Sequence, residues 1–247
     1  MPSALAHSDP MHLEQPASPL PTLDSSPEPR LGILHLLVWT ACVAVYCGLA
    51  QSLGLNERNP DAFDMTLSVL RSLGVGAALG GVLLWAARRR RGLAFPVHPG
   101  EYLLVVKGIN IACLVLFYGG AKRSGLLDLH SLLIWRCLTI LLNLIYGAAL
   151  AWAIHRVKAS RWRMFFIILL GADLCSCCVS GLLSLGYQSL TVLGDIVLVG
   201  VLLKDRADGL RYPWPHWVGI GTKLWLSTIA AISIVRIVLT YNLWDWW

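Results

Sequence analysis

Charge is what this sequence has least of. Asp, Glu, Lys and Arg together make 14% of its 247 residues, where a soluble domain carries roughly 25%. Hydrophobic residues make 56% and mean hydropathy is +0.64, with the apolar residues bunched into long runs. That pattern excludes an ordinary water-soluble domain and points to a chain solvated by lipid. Catalytic signatures are missing as well. The seven histidines (His7, His12, His35, His98, His130, His155, His216) are scattered, and none forms the H-E-x-x-H pair of a zinc hydrolase. No Walker loop, Rossmann fingerprint or G-x-S-x-G elbow occurs. The sequence therefore assigns no catalytic residue, metal or cofactor. Cys177 with His130 and Arg136 would supply a nucleophile trio, but no motif surrounds them.

Cysteine is not placed for cross-linking. All seven (Cys42, Cys47, Cys113, Cys137, Cys175, Cys177, Cys178) lie in apolar runs rather than loops, so they build no disulfide framework. The net charge of +6 lacks the aromatic–basic platform that nucleic acid requires, so no nucleic-acid partner is expected. Residues 1–29 have few apolar side chains and are rich in Pro, Ser and acid. They read as a disordered tail, without the basic n-region of a signal peptide.

What remains, residues 30–247, reads as one all-α transmembrane bundle. Seven apolar runs fall at 31–50, 65–87, 101–120, 131–154, 164–183, 185–203 and 217–240, each long enough to cross ~30 Å of hydrocarbon. The fifth and sixth are divided only by SLGYQ, and whether 164–203 makes two full spans is open. With the N-terminus in the cytoplasm, the inner side receives twelve Lys/Arg and the outer side only Arg58, Lys122 and Arg123. This positive-inside bias puts the N-terminus in and the C-terminus out, in a plasma or inner membrane. The run Arg88, Arg89, Arg90, Arg91 reads as a cytoplasmic anchor that attracts anionic headgroups. Gly76 and Gly80 have the GxxxG spacing of helix–helix contacts, within the chain or in a homo- or hetero-oligomer.

Seven ionisable residues lie inside the spans: Arg71, Lys107, Arg136, Asp173, Asp195, Lys223 and Arg236. An ionised side chain at mid-membrane costs at least ~2.5 kcal/mol unless paired or hydrated. Counted along the spans, the three arginines lie roughly 6–9 Å from the outer ends, with Asp195 and Asp173 at roughly 12 and 16 Å. The lysines lie about 9 Å from the cytoplasmic side and read as snorkelling to that interface, the other reading being a shallow inner polar site that Lys107 and Lys223 line with Glu101, Asn110 and Ser227. At about 100° per residue Asp173 shares a face with Cys177 and Ser180, whereas Cys175 and Cys178 point away. Asp195 lies under Gln188, and Arg136 continues into Asn143.

Asp173, Asp195, Arg136, Arg236 and Arg71, with Cys177, Ser180, Asn143 and Gln188, are thus expected to form a charge cluster or polar cavity in the outer half. One reading is a carrier or transporter with that cavity as its site. A second is a non-catalytic subunit or scaffold whose buried charges pair helices. A third is a membrane-embedded enzyme acting on lipid-linked substrates.

Overall fold

In lipid every backbone N–H and C=O must be satisfied within its own segment, and the helix achieves this. The computed structural model of the protein describes residues 32–52, 61–125, 131–179 and 184–240. Of these, only the backbone is described at 131–133, 135, 176–179, 184–191, 237, 238 and 240. The expected tail, 1–29, lies outside the described residues.

Seven helices make up the described residues, with no strand among them: α1 (Ile33–Ser52), α2 (Ala62–Arg90), α3 (Pro99–Arg123), α4 (Ser131–Arg156), α5 (Ser160–Val179), α6 (Ser184–Ala207) and α7 (Trp214–Thr240). Five are long and apolar enough to cross a membrane, namely α1, α2, α3, Arg136–Arg156 of α4 and Trp214–Arg236 of α7. Several helices overrun their apolar windows because polar residues outside those windows build the ends. Asp61 caps α2 by accepting from Asp64 N–H at 2.8 Å. Pro99 opens α3, and the Glu101 carboxylate accepts from Val97 N–H (2.7 Å) and His98 N–H (3.2 Å). Gly92 and Gly209, both at positive φ, close α2 and α6. The next residues, Leu93 and Leu210, donate back to the Arg88 and Asp205 carbonyls at 3.0 Å.

α3 is the central helix, packed against α2, α4 and α7, and its first turns are buried from Pro99 to Val106. α1 lies on α2, while α4, α5 and α6 pack in series. The circuit closes at α6–α7, where contact is sparse. Many large side chains on the outside are apolar, Ile33, Leu116, Leu144, Met164 and Ile196 among them, as expected of surfaces meeting lipid tails rather than water.

Glycine sets how closely the helices approach. A Cβ at Gly219 would lie 1.7 Å from the Gly100 carbonyl oxygen, and one at Gly100 would lie 2.1 Å from the His216 carbonyl oxygen. α3 and α7 therefore meet backbone to backbone. Gly76 and Gly80 receive Val43 and Trp39 of α1, so this GxxxG pair is occupied within the chain.

The starts of α3, α5 and α7 gather with the ends of α2, α4 and α6, as the Arg161–Asp205, Gly100–His216 and Trp85–Trp152 contacts record. We call this the basic end, after Arg88–Arg91, Arg156 and Lys204. At the far end the start of α2 meets the close of α7.

Candidate functional site

Two lysines and two aspartates converge inside the bundle. Lys223 on α7 reaches Asp195 on α6 in a short ion pair and donates to Ser227 at 2.8 Å. The lysine side chain is 1% exposed and the aspartate 17%. Lysine at this position does not snorkel to the interface. α7 begins at Trp214, which puts Lys223 about 14 Å along the helix, while Asp195 lies about 18 Å from the basic end of α6. The long lysine arm spans that offset. A buried charge left alone would be costly, so each member of the pair is what permits the other.

Asp173 on α5 belongs to the same cluster. It is 2% exposed, and its Oδ2 lies 3.2 Å from where a Cβ on Gly147 would stand. The missing side chain on α4 thus leaves room for the carboxylate. Lys107 on α3 acts electrostatically on Asp173 and on Lys223. Its ammonium sits 4.8 Å from the centre of the Tyr146 ring, whose hydroxyl is within electrostatic reach of both aspartates. The aspartates therefore share their surroundings with lysines rather than with the arginines expected from their depth.

Beside this cluster the sparse α6–α7 seam opens into a groove of about 720 Å³. Its walls are apolar, with Val192 on α6 and Ala231, Ile232, Val235 and Leu239 on α7. Polar groups stand only at its two ends. Asp195, Ser227 and Thr228 form one end, and Asp61 and Arg236 form the other.

The arginines go elsewhere. Arg236 binds Asp61 (2.6 Å) and, more closely still, Asp64, and it lies 4.9 Å from the Phe63 ring centre. Outside the spans, Asp61 is held below the usual carboxylate range by the Asp64 N–H and then by Arg236. Arg71 donates to Ser233 at 3.4 Å. Arg136 is exposed on α4 and makes no ion pair among the described residues. Asn143 is partly buried. Of the expected site, Asp195 and Arg236 share the groove, and Asp173, Arg71 and Arg136 do not line it. Ser180 and His130, and the side chains of Cys177 and Gln188, lie outside what is described. On α5, Asp173 is buried while Leu174 and Cys175 are exposed, so the helix has two faces there. At the anchor, Arg88 and Arg89 lie over Phe95 and Trp85, while Arg90 and Arg91 are exposed.

A polar knot at the basic end has no counterpart among the sequence expectations. Asp205 Oδ2 accepts from Trp162 Nε1 and from Tyr212 Oη, each at 2.7 Å, with Arg161 at 3.7 Å from Oδ1. Burial and the Asp205 hydrogen bond push the Tyr212 phenol up to about 12. Tyr212 stacks on His216 at 3.9 Å, and His216 Nδ1 accepts from Gly100 N–H at 2.9 Å. Arg161 also binds Asp208, holding that carboxyl below its ordinary range. The available signals were the H-P-G-E capping sequence at 98–101 and the aromatic density of RYPWPHW, which on their own mark only a helix start and a loop. Comparison with protein families, characterised proteins and solved structures finds no match to this chain.

Proposed function

We propose that the protein is a membrane carrier in which the Lys107–Asp173 and Lys223–Asp195 charges form the coupling site and the α6–α7 groove is the solute's path to it. On this reading all seven helices cross the membrane, the basic end is cytoplasmic and the groove opens on the outer half. The twelve-to-three distribution of loop Lys and Arg supports that orientation. One observation carries the reading: a groove joins the surface pair Asp61–Arg236 to Asp195, whose own partner is almost wholly buried. Ionisable groups at such depth are expensive, and a site that binds solute or protons is the use that matches a path leading to them.

Thiol accessibility tests it. Ala231→Cys, in a background lacking the native cysteines, should react with an impermeant reagent from the outer side of proteoliposomes. The rate should change when a pH gradient is imposed or reversed. Reaction that is absent, or indifferent to the gradient, overturns the carrier and favours the second reading, in which the charges only pair helices. That second reading draws support from Arg236, which Asp61 and Asp64 already occupy.

A further inference from the structure

We infer that the α6–α7 groove binds a cationic amphiphile, a protonated amine on an apolar body. The inference rests on the carrier reading, in which the groove admits the solute, and adds the chemical class. The volume of about 720 Å³ is in the range of small-molecule sites, and the walls between the two ends are apolar. An amphiphile's body matches those walls.

The Asp195 end selects the head. Asp195 lines the groove with its carboxylate; Lys223, at 1% exposure and absent from the lining, takes Oδ1, so Oδ2 is the oxygen a ligand can use. Thr228 spends its hydroxyl proton on the Leu224 carbonyl at 2.9 Å, leaving its lone pairs to accept. Ser227 Oγ stands within 2.8 Å of the Lys223 ammonium. A ligand entering here therefore meets the second oxygen of a carboxylate and the Thr228 hydroxyl set to accept, with the Ser227 hydroxyl keeping one proton to donate; an ammonium supplies the donors for the two acceptors. At the other end, Arg236 is neutralised by Asp61 and Asp64, so the one lining cation offers little to an anion. A carboxylate or phosphate head would meet the Asp195 and Asp61 carboxylates, while Lys223 and Arg236 are each already paired.

The test is equilibrium binding to the full-length protein in phosphatidylcholine nanodiscs, with empty nanodiscs as background. Radiolabelled dodecylamine is compared with dodecanol and dodecanoate, which keep the chain and change the head. Dodecylamine should bind saturably and at least about tenfold more tightly than either. Ala231→Trp, which obstructs the groove between its ends and leaves the ion pair intact, should weaken saturable binding at least about tenfold. Asp195→Asn should remove the preference for amine. Equal binding of the three heads, tighter binding of dodecanoate, or saturable dodecylamine binding unchanged in Ala231→Trp overturns the inference. Should Asp195→Asn not fold, the comparison of heads and Ala231→Trp still decide it. Expected binding without a gradient-sensitive Ala231→Cys rate would leave the amine site standing and the carrier refuted. The reverse result would refute the ligand class alone.

Discussion

Lys223 on α7 and Asp195 on α6 close an ion pair across a seam where the two helices otherwise touch sparsely. Removing one partner leaves the other charge buried, a loss of about 3 kcal/mol or more. Lys223→Met or Asp195→Asn alone should therefore lower the unfolding midpoint clearly in detergent. Lys223→Met combined with Asp195→Leu should recover most of it, because an apolar pair fits the same space. A double variant no more stable than the singles would show that the pair is not a closed unit.

The α3–α7 crossing gives a prediction with its own control. Gly219→Ala drives a Cβ into the Gly100 carbonyl and should cost about 3 kcal/mol, near the upper end of ordinary overpacking. Gly221, two residues on, has nothing within 4 Å of its added Cβ. Gly221→Ala should be neutral or slightly stabilising, since alanine is the better helix former. Thermal aggregation of the two variants side by side measures the difference.

Alkaline titration should expose the Tyr212 knot. Its phenol titrates near 12 when folded, above the ~10 of a free tyrosine. A raised value means the folded state holds the proton more tightly. The stabilisation is thus complete below about pH 10 and is lost as pH climbs towards 12. Melting midpoints across this window should fall for the wild type. In Tyr212→Phe the midpoint should start lower and fall less.

Acid and salt should act on the far-end clasp. The Asp61 carboxyl is depressed when folded, so its stabilisation is present above the free-aspartate value of about 4 and disappears as pH falls below it. With Asp61 58% and Arg236 30% exposed, the pair is also open to screening. Asp61→Asn should lower the melting midpoint slightly at low ionic strength. In molar salt it should match the wild type.

Much of the fold is legible in the sequence because long apolar runs stand out, and each of the seven runs corresponds to a helix, five of them long and apolar enough to cross a membrane. The ends were harder to read, since Asp61, Pro99 and Glu101 lie outside or at the edge of the apolar windows and extend the helices past them. The site was legible in composition but not in pairing. Asp173, Asp195, Lys107 and Lys223 are conspicuous as charges in apolar runs, yet which meets which depends on depth. A start for α7 read three residues late put Lys223 too close to the surface. The room beside Asp173 depends on Gly147, and a lone glycine in an apolar run announces nothing. The Trp162–Asp205–Tyr212 knot joins three segments that no local pattern connects.

The two attachments of α7 respond to different things. At Gly100 and Gly219 it is held chiefly by the shape of main chain against main chain, which is far less sensitive to protons and salt. At Arg236 it is held by carboxylates that both can weaken. A change in the medium at the far end is therefore felt far more by one extremity of this helix than by the other, so α7 can register conditions there while its opposite end stays in register with α3.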